Sequence, residues 1–173
     1  MKKLESTWYN MALVLTGIAV VAGAALGYVN SITAPTIEAL KAQQEKDAEL
    51  EVLGGSEGTA IKVTDPKGFG GALTVMVGLA PDGKILGYKV LESSETPGLG
   101  AKAGFWFQKG EKGDIIGKQA GSLTVSKDGG DVDAITASTI TSRAFLRCIN
   151  EAYKTLSENN ADGQSGASKQ LER

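Results

Sequence analysis

The stretch LTVMVGLAPDGKILGYKVL, residues 73–91, decides the fold. Leu73, Val75, Val77 and Leu79 alternate with their neighbours at the period of two that marks a strand with one face on a core. Pro81-Asp82-Gly83 interrupts the pattern. Pro presets φ for a turn and Gly supplies positive φ, so the chain reverses and Ile85 to Leu91 returns as a second strand. An antiparallel hairpin is therefore the first element of the domain.

Working towards the C-terminus, Glu92 to Lys102 reads as a loop and Ala101 to Gln108 as a short helix bearing Phe105, Trp106 and Phe107. Leu123 to Ser126 reads as a short strand ahead of the turn Asp128-Gly129-Gly130-Asp131. Thr139 to Leu156 is the strongest helix: Phe145, Cys148, Ile149, Ala152, Tyr153 and Leu156 share one face at helical spacing. On that face Cys148 is a small core hydrophobe, not a reactive thiol. The polar remainder, residues 158–173, has the composition of a disordered tail.

Towards the N-terminus, Gly54 to Gly58 reads as a linker. Thr36 to Leu53 reads as a juxtamembrane helix, with Pro35 in its first turn. No charge occurs between Glu5 and Glu38, and Trp8 to Val29 is mostly apolar. As a helix that run is about 33 Å long, enough to span a bilayer. Trp8, Tyr9 and Tyr28 stand at its ends, where aromatic rings favour the interface. Lys2 and Lys3 precede it, so the positive-inside rule predicts a cytoplasmic N-terminus and an extracytoplasmic domain. The small-x-small sequence Ala22-Gly23-Ala24 sits inside the apolar run, which favours an uncleaved single-pass anchor over a cleaved leader. The expected organisation is an anchor at 1–34, a juxtamembrane helix and linker at 35–58, a domain at 59–157 and the tail at 158–173. The fold class is α+β, a small and mostly antiparallel sheet with packed helices behind a transmembrane helix.

Composition narrows the chemistry. The 173 residues include one Cys and no His, with 18 Lys+Arg against 20 Asp+Glu. Without His there is no His-based triad and no catalytic zinc of the usual kind. One Cys excludes an internal disulfide, a four-Cys zinc site and an iron–sulfur cluster. A net charge of −2 argues against nucleic acid as a partner. Redox work would fall to an organic cofactor.

Two segments carry candidate chemistry. In the first, Glu95-Thr96-Pro97-Gly98-Leu99-Gly100, Pro and two Gly shape a loop that a flat ligand or phosphate can approach, with Lys102 two residues on. A tight turn between strand and helix explains it equally well. In the second, Asp133-Ala134-Ile135-Thr136-Ala137-Ser138-Thr139-Ile140-Thr141-Ser142-Arg143, five hydroxyls and an Arg stand at the start of a helix, whose free N–H groups and dipole suit phosphate. A plain N-cap by Thr136 or Ser138 accounts for it without any ligand.

These two motifs, in this order behind one membrane helix, resemble the FMN-binding domain family with covalent flavin. That family includes the G subunits of Rnf-type ferredoxin:NAD oxidoreductases, which this chain resembles most, and the related C subunits of sodium-pumping NADH:quinone reductases. Glu95 to Gly100 match the family loop without change. The family pattern Asp-x-x-Ser/Thr-Gly-Ala-Thr-x-x-Ser falls on Asp133, Thr136, Ala137, Ser138, Thr139 and Ser142. The chain departs from it in having Ala137-Ser138 for Gly-Ala, and in a short stretch between the anchor and Gly68, where a strand or loop is expected to be missing.

The resemblance implies an FMN-binding domain whose FMN is esterified through its phosphate to Thr139. Glu95, Thr96, Gly98, Leu99, Gly100, Lys102, Asp133, Thr136, Ala137, Ser138 and Ser142 would be the other residues at the cofactor. It also implies a separate magnesium-dependent flavin transferase that moves FMN from FAD onto the Thr hydroxyl. The domain would carry electrons inside a membrane complex coupled to ion translocation, among the other subunits of that complex. Lys102, Lys127 and Arg143 are candidates to favour an anionic reduced flavin; solvated surface charge is the plainer account of Lys127. Phe105, Trp106 and Phe107 are candidates to pack near the ring or in the core. No Gly-rich dinucleotide fingerprint is present, so NAD would bind elsewhere in the complex. The competing readings are the quinone-reductase subunit and a membrane-anchored scaffold domain without cofactor.

Overall fold

The computed structural model describes residues 7–167. Lys2 and Lys3, which carry the orientation signal, lie outside them, as does the end of the expected tail, 168–173. The chain divides into two compact units, Met1–Gln43 and Gln44–Arg173.

The first unit is helical. One helix, α1, runs unbroken over Trp8–Leu53 and includes Pro35 in its interior. This corrects the expectation of a new helix starting at Pro35. Proline in mid-helix leaves a carbonyl one turn earlier without its donor. Hydroxyls just ahead of Pro35 bond other carbonyls of that region: Ser31 Oγ donates to Tyr28 O at 2.8 Å and Thr33 Oγ1 to Val29 O at 2.8 Å. The apolar part of α1 is exposed and is long and apolar enough to cross a membrane.

The second unit holds a three-stranded antiparallel sheet in the order β1 (Thr59–Asp65), β2 (Leu73–Leu79), β3 (Ile85–Ser93). β2 and β3 form the expected hairpin. β1 lies in the short stretch ahead of Gly68, where a strand or loop was expected to be missing; it pairs with β2 from Thr59↔Leu79 to Asp65↔Leu73. All seven residues of β2 are buried. Leu73, Val75, Val77 and Leu79 join the main core with Phe107, Phe145 and Ile149. Met76, on the other face, packs with Ala48 and Val52 from the end of α1. A central strand covered on both sides buries its full length, so alternation described only half of its environment. That close cover depends on glycine: a Cβ at Gly78 would stand 2.4 Å from the Val52 carbonyl oxygen.

After a turn of 3₁₀ helix at Gly100–Lys102 comes α2, Ala103–Trp106. Tyr88 pins it, donating from its hydroxyl to Ala103 O at 2.8 Å and accepting from Phe107 N at 3.1 Å. Burial pushes the Tyr88 hydroxyl pKa well up, so it stays protonated. Phe107 stacks on Phe145 with centroids 4.3 Å apart, which assigns it to the core.

The expected strand at Leu123 to Ser126 is not one. Only an isolated bridge, Val125 to Val132, forms there, and Ser126–Asp128 is a 3₁₀ turn. Gly130 N donates back to Val125 O at 3.1 Å, so the chain reverses before a ladder can grow. The last helix, α3, spans Thr139–Ala167. It runs on from Leu156 into the polar stretch whose composition suggested disorder. The stretch lacks proline, the strongest helix breaker, and the helix continues through it although its Asn, Asp, Ser and Gly are weak helix formers.

Candidate functional site

A cleft of about 350 Å³ lies where the Glu95–Gly100 loop meets the start of α3. Glu95, Thr96, Leu99 and Gly100 line one side and Ala137, Ser138 and Thr139 the other, joined by Phe69 and Ile140. The tertiary fold thus brings together the two motifs, some forty residues apart, that the sequence singled out separately.

Each wall has a local cause. Glu95 is buried and its Oε1 accepts the Phe69 N–H at 2.7 Å. That bond ties the loop to the glycine run Gly68 to Gly71, which passes close: a Cβ at Gly70 would stand 2.1 Å from Ser94 O. Phe69, held by this run, is 71% exposed at the cleft. Gly100 lies against the second carboxylate oxygen of Glu95, where a Cβ would come within 2.4 Å. A Cβ there would also meet Thr141 Oγ1 at 2.7 Å, and that hydroxyl is buried with no hydrogen-bond partner.

On the opposite wall Ser138 is the N-cap of α3, its carbonyl accepting the Ser142 N–H at 3.0 Å. Its side chain is buried. Thr139, the first helical residue, is only partly buried. Its Oγ1 accepts a hydrogen bond from Lys127 Nζ at 3.2 Å. Ala137 precedes them in the left-handed region at φ 61°, alone among the described non-glycine residues. The resemblance expects Gly at this position, and Gly adopts this conformation without steric cost.

The remaining expected residues stand apart from the cleft lining. Ser142 is fully buried and braces the loop, accepting Ile135 N–H at 2.9 Å and donating to Ser138 O at 2.9 Å. Asp133 accepts from Ser126 Oγ at 3.3 Å, and its carbonyl accepts the Trp106 indole N–H at 2.9 Å. Trp106 is therefore a brace between α2 and the second motif. Thr136 and Gly98 are exposed and Lys102 is half-buried. Arg143 is engaged elsewhere, gripping Asp128 with Nε–Oδ2 at 2.7 Å and Nη2–Oδ1 at 2.6 Å. The Arg143 guanidinium holds the Asp128 carboxyl below its usual range.

Sequence reasoning did not place Phe69 and Ile140 at the cleft, and Lys127 meets Thr139 where solvated surface charge was the plainer account. An aromatic ring inside Gly68-Phe69-Gly70-Gly71 was a usable signal, because glycine on both sides leaves such a ring little to pack on. A larger cleft, about 670 Å³, runs beside Asp65, Lys67, Arg147 and Glu151. It contains none of the motif residues, and Asp65 is paired with Arg147 across it.

The comparisons with known proteins bear on this cleft. The sequence profile of the FMN-binding domain family matches residues 68–154, which include both of its walls. The chain belongs to the FMN-binding domain family. The matched stretch begins at Gly68, so the glycine run that presents Phe69 is part of the FMN-binding domain, while α1 and β1 precede it. Among similar proteins is the G subunit of the ion-translocating oxidoreductase complex of Vibrio atlanticus, 35% identical over 76% of this chain and 65% of its own length. The G subunit of the Na(+)-translocating ferredoxin:NAD(+) oxidoreductase complex of Acetobacterium woodii is 29% identical over 91% of this chain and 98% of its own. The proton-translocating counterpart of Clostridium ljungdahlii is 33% identical over 66% and 62%. The chain thus spans just under two thirds of the Vibrio and Clostridium proteins and nearly all of the Acetobacterium one.

The cleft suits FMN in its own chemistry. Phe69, Leu99 and Ile140 offer exposed apolar surface for a flat ring. The start of α3 and the Lys127 ammonium offer positive potential for a phosphate.

Proposed function

We propose that this protein is the membrane-anchored electron carrier of an Rnf-type ferredoxin:NAD oxidoreductase coupled to ion translocation, with FMN joined through its phosphate to Thr139. The observation that carries the reading is the half-exposed Thr139 hydroxyl at the cleft, bound by Lys127, beside a Ser138 that is buried. The three relatives are each the G subunit of an ion-translocating oxidoreductase complex, which supports the Rnf-type complex over the quinone-reductase one. The apolar part of α1 supports anchoring in a bacterial inner membrane, with the domain on the extracytoplasmic side as the sequence predicts. The partners are the other subunits of the complex and, for maturation, a flavin transferase.

When bound, FMN would supply the one- and two-electron chemistry, and the protein supplies position and field. Thr139 offers the attachment oxygen. The first turn of α3 has free backbone N–H groups that would stabilise the phosphodiester charge by about 0.3–1 kcal/mol through the helix dipole. Phe69, Leu99 and Ile140 would cover apolar parts of the bound flavin, while Glu95 keeps the Phe69 backbone in place. Covalent attachment retains the cofactor on a side of the membrane where a lost FMN could not be readily replaced.

The test is the intact mass of denatured full chain co-expressed with a flavin transferase. The expected result is a gain of one FMN less water, located on the Thr139 peptide, kept in Ser138→Ala and lost in Thr139→Ala. An unchanged mass, with the transferase active on another flavoprotein, would overturn the reading and favour the scaffold.

A further inference from the structure

The turn Lys127-Asp128-Gly129-Gly130 is built more tightly than a surface loop requires. Asp128 N donates to Val125 O at 2.8 Å and Gly130 N to the same oxygen at 3.1 Å. Gly129 closes the turn at φ 86°, and a Cβ at Gly130 would stand 2.1 Å from Thr124 O. Asp128 then takes both arms of Arg143, which lies one helical turn beyond Thr139 on α3. Adjacent residues of the turn therefore meet α3 twice, Asp128 at Arg143 and Lys127 at Thr139. The ion pair neutralises the Asp128 carboxylate and holds the base of the lysine stem, leaving the Lys127 ammonium at the Thr139 oxygen.

We propose that Lys127 is the positioning residue of flavin attachment: it orients the Thr139 hydroxyl for attack and then pairs with the phosphodiester formed there. The inference rests on the reading of Thr139 as the acceptor. In the transfer, Thr139 Oγ forms a bond to the FMN phosphorus of FAD, and the bond from that phosphorus to the bridging oxygen breaks. AMP leaves with the bonding pair, and the hydroxyl proton passes to a base of the transferase. An N–H from Lys127 occupies one lone pair of Oγ, which leaves the hydroxyl proton and the other lone pair for the transferase and FAD. The ammonium has three donors, so it can keep Oγ and also meet a phosphoryl oxygen as charge builds on it. The contact is exposed, and an exposed polar pair adds little to folding stability. Its removal should therefore affect the reaction and spare the fold.

The experiment follows flavin loading of the full chain in detergent by a purified magnesium-dependent flavin transferase with FAD, read as intact mass against time. Lys127→Met keeps the stem and removes the charge. It should lower the kcat of loading about tenfold or more, the size expected for a lost charge-assisted hydrogen bond, with the melting temperature unchanged. Lys127→Arg should recover most of the rate. Loading of Lys127→Met at the wild-type rate would overturn the proposal while leaving Thr139 as acceptor. A loss confined to KM would make Lys127 a docking contact for the transferase and overturn the positioning role. A loss that tracks a fall in melting temperature and is not recovered by Arg would overturn it as well. A wild-type chain that takes no flavin, with the transferase active on another substrate, would overturn both this proposal and the acceptor reading.

Discussion

Asp65, the last residue of β1, is gripped by Arg147 of α3, with Nε–Oδ2 at 2.5 Å and Nη2–Oδ1 at 3.2 Å. Burial alone would raise the Asp65 carboxyl, but the Arg147 hydrogen bonds and charge, with the Lys67 N–H, outweigh it and hold the pKa below 3.8. A carboxyl lowered by folding adds stability that is fully present above its unfolded pKa. That stability is lost as pH falls through the folded value. The acid limb of a denaturation-against-pH curve should therefore flatten below about pH 4 in Asp65→Asn. At pH 7 the variant should lose about 1 kcal/mol, modest because the Arg147 end is half exposed. An unchanged acid limb would show that the pair is not linked to folding.

Ala137 sits at φ 61°, a conformation that costs an L-residue about 1–2 kcal/mol. Glycine relieves that strain but loses roughly 0.5–1 kcal/mol of chain entropy. Ala137→Gly should thus stabilise the protein by about 0.5–1 kcal/mol, measured by denaturant midpoint at constant slope. Ala137→Val should destabilise it, because a branched Cβ tolerates that region least.

Gly100 is set by contact. A methyl there would meet the Glu95 carboxylate and Thr141 Oγ1 inside 3 Å, both from buried residues. Gly100→Ala should cost about 1–3 kcal/mol and detach Glu95 from the Phe69 N–H. Amide exchange at Phe69 would report that detachment, and a protected Phe69 amide in the variant would contradict it.

Cys148 is fully buried on α3, and burial, with the nearby Asp65 charge, pushes its thiol up to about 12. The thiolate is the reactive form, so iodoacetamide at about pH 8 should leave the folded chain unlabelled and modify it fully in denaturant. Mass spectrometry after a short pulse distinguishes the two. Labelling at the rate of a free thiol would place Cys148 outside the core.

Much of the architecture was legible locally. The β2–β3 hairpin, the apolar run of α1 and the amphipathic face of α3 each announce themselves within a few turns or pleats, because their periodicity is set by backbone geometry. β1 was only faintly legible, since Ile61 and Val63 alternate with Lys62 and Thr64 over a run too short to stand out, and pairing with β2 makes it a strand. The expected strand at Leu123 failed for the converse reason. Its residues suit a strand, but the turn at Gly129 and Gly130 denies it a partner.

The sequence by itself determined the two motifs, their order, and the presence of an apolar helix ahead of an α+β domain. It left Ser138 and Thr139 as adjacent hydroxyls of equal standing in their chemistry. The motif's acceptor position favours Thr139, and the tertiary structure gives the two different surroundings, with Ser138 buried as the N-cap and Thr139 partly exposed beside Lys127. It likewise brought Phe69 to Glu95 across 26 residues and Arg147 to Asp65 across 82. Periodicity and turn chemistry are written in neighbouring residues. Exposure, and the partner of a charge, depend on which distant segments the packed core brings to the same place.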